Sequence, residues 1–330
     1  MTRREFVKAC LLGLAGLGVN KLFPGCARQP GSTRAVAAEA AAGGSGSAPG
    51  VGSSPGIKQK PVTPPCDIAV AKGDDIGDTT RAALEAYGGL EQFVGKDDKV
   101  VLKPNLAWSR TPEQAANTHP AVLAAVLEEL QKIGPAELVV VEHPCDSAEV
   151  SFELSGAKRV CADHNVPLIC PASEQMYTPV EYPNATKLKS DAVITEIMEA
   201  TVYINMPVVK VHGSGVVTVT LKNQMGSVWN RGTYHRTGLH QCIADAATGL
   251  QPTLNVVDAS RVLLTRGPKG PGQVERPGEI IVSTDMVATD SYCCGLLGKS
   301  PQEVSHIMLA AEAGVGTTDL DSLNITRATA

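Results

Sequence analysis

Residues 202–240 read VYINMPVVKVHGSGVVTVTLKNQMGSVWNRGTYHRTGLH. The run 202–206 is short and apolar, the pattern of a strand buried on both faces. It stops at Pro207, and polar groups follow at once: Lys210, His212, then Gly213, Ser214 and Gly215, then Thr218, Thr220, Lys222 and Asn223. His235 and His240 close the stretch, so three of the seven histidines fall just beyond one core strand. In an open α/β sheet, ligands bind outside the carboxyl ends of the strands, and this puts a candidate site here. Residues 216–220 pull two ways. Their β-branched run favours a strand, whereas the glycine loop before them favours a helix start. A helix from about 216 is the expectation adopted.

Outward from this stretch, strands are expected at 68–71, 99–102, 137–142 and 166–170, with helices at 79–87, 121–133 and 152–164 between them. Thr118 is the expected cap of the second helix, with His119 and Pro120 in its first turn. Downstream come a helix at 239–248, strands at 253–258 and 280–283, and a helix capped by Asp285 and running to 297. Asp290 falls on that helix, where an exposed side would accommodate it. Residues 171–190 are expected to be irregular or a small excursion, and nothing is read from the tail after Asp319. The alternation predicts an α/β protein with a mostly parallel, doubly wound sheet and helices on both faces. A division into two lobes around a cleft is a variant of the same fold.

The chain has 330 residues, 43% hydrophobic but only 4% aromatic, so its core must be aliphatic. The net charge of −5, the lack of a basic tract and the scarcity of aromatics argue against nucleic-acid binding. The opening MTRREFVK places Arg3 and Arg4 before a short apolar run. It resembles a twin-arginine signal, which implies the export machinery as a partner and a periplasmic or extracytoplasmic location. A signal at 1–40, a Gly/Ser/Pro tether at 41–65 and a folded domain at 66–320 follow from this, with no permanent membrane span in the mature form. Of the nine cysteines none forms a C-x-x-C pair, so the close spacing of ferredoxin-type iron–sulphur clusters is missing. Cys293 and Cys294 read as packing residues.

The candidate chemistry centres on cations. Lys210 and Lys222 would charge a site for a small anion, His212 would act as base or ligand, and the backbone of Gly213, Ser214 and Gly215 would hold oxygens. Lys103 and Asn105 end one strand, Thr118 and His119 begin the next helix, and Asn223 and Asp258 complete the candidate ligand-binding set. Glu142 and Asp258 are strand-end carboxylates that could move protons or hold a cation. A divalent metal on His212, His235 and His240 is a further expectation, although no H-E-x-x-H or close Cys/His spacing supports it.

The blocks LKPNL (102–106), THP (118–120), INMPVVKVH (204–212), VTLKNQMG (219–226), VVDAS (256–260), GPKG (267–270) and STDMVATD (283–290) occur in this order. Together they resemble the family of domain of unknown function 362, over almost all of 68–315. The resemblance implies no particular reaction. A more distant resemblance, to the nickel-pincer lactate racemases, matches His212, Lys222 and His235 or His240. Val219, Thr220 and Leu221 stand where those enzymes have glycines, so it implies a related fold rather than a shared cofactor. The expected function is a small-molecule enzyme or cofactor-dependent protein acting on an anionic or metal-bound ligand. An extracytoplasmic binder of an anion or metal chelate is the alternative.

Overall fold

The computed structural model describes residues 62–330; the expected signal and most of the tether lie outside the described residues. The strands in chain order are β1 (Ile68–Lys72), β2 (Lys99–Pro104), β3 (Glu137–Val141), β4 (Leu168–Ile169), β5 (Tyr177–Glu181), β6 (Ser190–Ile194), β7 (Val202–Met206), β8 (Val208–His212), β9 (Val216–Thr218), β10 (Leu254–Leu263), β11 (Val274–Glu275), β12 (Glu279–Ser283) and β13 (Ile325–Thr329). Eleven of them form one sheet whose main path is β13–β1–β12–β10–β7–β2–β3–β4. Along this path only β12 runs against its neighbours.

The period of two in the strand sequences divides their side chains between two cores. Val100 and Leu102 of β2 join Val140, Ile204 and Val256 on one face, under helices Ile76–Ala86, Pro120–Ile133 and Ala157–Asp163. Val101 joins Val139, Tyr203 and Val257 on the other, under helices Leu239–Ala247, Met286–Leu296 and Ser305–Glu312. This is the doubly wound α/β arrangement expected from the sequence, built on a single sheet rather than on two lobes. Cys293 and Cys294 pack in the second core.

Several elements differ from expectation. The helix expected over 152–164 is two, Ala148–Leu154 and Ala157–Asp163, because Gly156 between them takes a left-handed φ of 80° that ends the first. The excursion after residue 171 holds the hairpin β5–β6. The tail past Asp319 supplies the edge strand β13, parallel to β1, so the folded body extends beyond 320. No helix among the described residues is long and apolar enough to cross a membrane.

The largest correction falls on the deciding stretch. β7 stops before Pro207 as expected, but a second strand, β8, begins directly after it, and β10 pairs first with β7 and then with β8. The Asp258 amide donates to the Pro207 carbonyl at 2.9 Å between the two pairings. Residues 216–218 are no helix but β9, which folds back antiparallel on β8 with Lys210 opposite Thr218 and His212 opposite Val216. β-branched side chains suit this pleated, half-buried ribbon, and Gly213, Ser214 and Gly215 serve as its turn. Helix appears only afterwards, as the single turn Thr220–Asn223.

Candidate functional site

The ends of β2, β3 and β8 and the turn Thr220–Asn223 surround a cavity of about 380 Å³. Among the expected residues it is lined by Asn105, Lys210, His212, Lys222, Asn223 and His235; Glu142, Trp108, Cys145 and Arg231 join them.

Lys103 anchors the floor. It is fully buried, and its Nζ lies 2.9 Å from the Glu142 carboxylate. It also donates to the Pro104 carbonyl at 3.1 Å and to Asn223 Oδ1 at 3.3 Å. Glu142 accepts in addition from the amides of Leu106 (3.1 Å) and His143 (2.9 Å). Burial pushes the Lys103 pKa down and Glu142 opposes that shift. Gly226 is required above this pair, because a Cβ there would sit 2.2 Å from Glu142 Oε1.

From Lys210 a row of amides crosses the sheet. Lys210 Nζ donates to Asn105 Oδ1 (3.0 Å), and Asn105 Nδ2 donates to Asn223 Oδ1 (2.8 Å). Asn223 Nδ2 donates to Asn205 Oδ1 (2.8 Å), and Asn205 Nδ2 to Asn255 Oδ1 (2.9 Å). Asn255 Nδ2 ends the row on the Ser283 carbonyl at 3.2 Å. Lysine can only donate and a carbonyl can only accept, so the two ends fix how every amide is turned. Lys210 Nζ also bonds the Ala116 carbonyl.

Lys222 is held differently. Gly215 packs against its stem, where a Cβ would approach Lys222 Cε to 2.6 Å. Its Nζ meets the Met225 thioether at 3.4 Å. Burial, then the neighbouring Lys222 charge, lowers Lys210 to about 7, and burial, aided by Arg231, lowers Lys222 to about 8. His212 falls to about 3, again by burial first and then by Lys222 and Lys210. Its ring is therefore neutral. Nδ1 accepts from the Gly215 amide at 3.1 Å, which leaves the ring proton on Nε2.

Asp290 positions the turn that carries Lys222 and Asn223. It is fully buried, not on an exposed helix side, and accepts from the amides of Thr220 (2.8 Å) and Leu221 (3.2 Å). Burial raises its pKa to about 7.

The other expected residues lie elsewhere. Thr118 does not cap its helix. Its hydroxyl donates to the Met206 carbonyl at 2.6 Å and accepts from the Asn105 amide at 2.9 Å, tying β2 to β7. His119 is the cap, with Nδ1 accepting from Ala121 at 3.1 Å. Asp258 is a buried brace that pairs with Arg261 and accepts the His119 amide at 2.7 Å. Gly213 and Ser214 are exposed at the hairpin tip, and Gly213, Ser214 and Gly215 contribute no wall to the cavity. The metal triad fails on geometry. His240 stacks on His306, with their Nδ1 atoms 3.1 Å apart, while His212 is engaged by its own turn. Among the described residues no three of His, Cys, Asp or Glu converge as metal ligands.

Sequence reasoning passed over Arg231, Trp108 and Cys145, which carry no local signal. Asn205 and Asn255 did carry one: an amide inside an apolar strand must find a partner. Glu142 was visible as a strand-end carboxylate, but its pairing with Lys103 depends on β2 and β3 being neighbours.

Two comparisons bear on the chain. The thylakoid-associated protein sll1697 of Synechocystis sp. is 26% identical over 248 residues, covering 72% of this chain and 75% of that protein. The model of the family described as domain of unknown function (DUF362) matches residues 100–295, which include Lys103, Glu142, Lys210, Lys222 and the whole amide row. A match over more than half of the chain, in line with the sequence blocks, establishes that this protein belongs to the DUF362 family.

Proposed function

We propose that the cavity binds a small anion, a carboxylate or phosphate, and that the protein acts on it as an enzyme. One observation carries this reading. Lys210, Lys222 and Arg231 line one cavity, and the single carboxylate among its lining residues, Glu142, is already paired with Lys103. The Arg231 guanidinium is turned to the carbonyls of His143 (2.7 Å) and Pro144 (2.9 Å), so its charge too lacks a carboxylate partner there. An anion would supply the missing countercharge. Lysines lowered to about 7 and about 8 exchange protons near neutrality, which suits acid–base work. His212, neutral and protonated at Nε2, serves as a hydrogen-bond donor to the ligand rather than as its base.

Titration calorimetry with sulfate and with glyoxylate, whose charges stay constant above pH 6, tests this. One site per chain is expected, weakened by roughly ten- to a hundredfold in Lys210→Met, the range for a lost charge-assisted hydrogen bond. Affinity should fall from pH 6.5 to 9, because the lysines lose their protons. No binding of either anion would refute the reading.

We further propose export in folded form to an extracytoplasmic location, supported by TRREFVK at residues 2–8. Changing Arg3 and Arg4 together to lysine should retain the protein in the cytoplasm. Unchanged fractionation of that variant would reject the signal.

A further inference from the structure

Resting on the anion reading, we propose that Lys222 is a nucleophile that forms an imine with an anion bearing an aldehyde or ketone. The three buried lysines of the site are not equivalent. Lys103 has a carboxylate, a carbonyl and an amide oxygen as acceptors. Lys210 has an amide oxygen and a carbonyl. Lys222, nine-tenths buried, has for its Nζ only a thioether at 3.4 Å among the described residues, and it lines the cavity. An ammonium left without oxygen acceptors is poorly stabilised, and the neutral amine is the form that attacks carbonyl carbon. Its stem is confined by Gly215 on the side where any other residue would collide with Cε. The amine is therefore positioned for chemistry, while Lys210 and Arg231 remain to hold the anionic end.

The step balances without a redox partner. The Lys222 nitrogen lone pair forms a C–N bond to the carbonyl carbon. The carbinolamine then loses its oxygen as water, leaving C=N. The resting ammonium releases one proton to solvent before attack, and the imine nitrogen takes one back from solvent, so the iminium carries the charge of the resting Lys222 and the site's attraction for the anion is undiminished. The iminium withdraws electrons from the adjacent carbon and weakens its bonds.

The test treats the protein with glyoxylate and sodium cyanoborohydride, which reduces the imine to a stable secondary amine, and reads intact mass and peptide maps. One adduct per chain is expected, on Lys222, forming at least tenfold faster than on surface lysines and slowed by sulfate. Its rate should rise from pH 7 to 9. Lys222→Arg keeps a cation and should lose the fast adduct; its melting curve reports whether it folds, and its sulfate titration whether the anion site survives. If sulfate binds but adducts spread over surface lysines alike in both proteins, the imine is overturned and the anion site stands. If sulfate does not bind and no fast adduct forms, both fall.

Discussion

Replacing Lys103 by methionine is expected to destabilise the protein by about 3–5 kcal/mol, the range for removing one partner of a buried ion pair. Both side chains are essentially without solvent contact and lie 2.9 Å apart. With the ammonium gone, Glu142 keeps two amide donors but has no countercharge in a site whose floor excludes water. Methionine fills most of the lysine's volume, so the loss is electrostatic rather than a cavity. The double variant Lys103→Met/Glu142→Gln should recover part of it, because the uncompensated charge is gone, although the glutamine oxygen can accept from only one of the Leu106 and His143 amides, which bond different carboxylate oxygens. Urea denaturation of the single and double variants decides the matter. Additive losses would show that the pair is not coupled.

The second large effect concerns pH. Between pH 7 and 9.5 the two cavity lysines of the unliganded protein should contribute stability that grows with pH. An unfolded lysine titrates near 10.4, whereas Lys210 and Lys222 titrate at about 7 and about 8 when folded. Through this window these two lysines bind more protons in the unfolded chain than in the folded one, so their contribution to stability rises with pH, while the thiols of Cys161, Cys293 and Cys294, pushed up by burial, pull the other way above about pH 8. Each lysine contributes up to about 1.4 kcal/mol per pH unit once its folded form has lost its proton. The melting point of wild type should therefore climb with pH relative to that of Lys210→Met/Lys222→Met, which keeps the thiols and lacks the lysines. Lys222→Met alone should melt a few degrees above wild type at pH 7, since it removes a buried cation with no oxygen partner. Sulfate should raise the melting point more at pH 7 than at 9.5. Wild type and double variant keeping the same slope would sink this account.

The alternation of strands and helices was legible because the apolar periods of two and 3.6 are local properties. So was the position of Lys210, His212 and Lys222 beyond a core strand. What escaped depends on neighbours in space. The 216–218 segment is a strand because β8 lies beside it, a partner that local sequence does not announce. His212, His235 and His240 are close in sequence, yet the histidine that meets His240 is His306, a separation of 66 residues. Lys103 and Glu142 are 39 residues apart and meet because β2 and β3 pair in parallel. Arg231 reaches the cavity by bonding the carbonyls after Glu142, a contact set by tertiary packing alone.

The amide row from Lys210 to Ser283 has one further consequence. All four asparagine oxygens face the lysine end, so their dipoles add head to tail like aligned compass needles. Reversing any one would set donor against donor, and reversing all would leave the lysine facing an amide hydrogen. The row thus has a single polarity, and it biases the cavity floor before any ligand arrives. A disturbance at Asn255, on the far side of the sheet's centre, would reach Lys210 as lost orientation rather than as movement of the backbone.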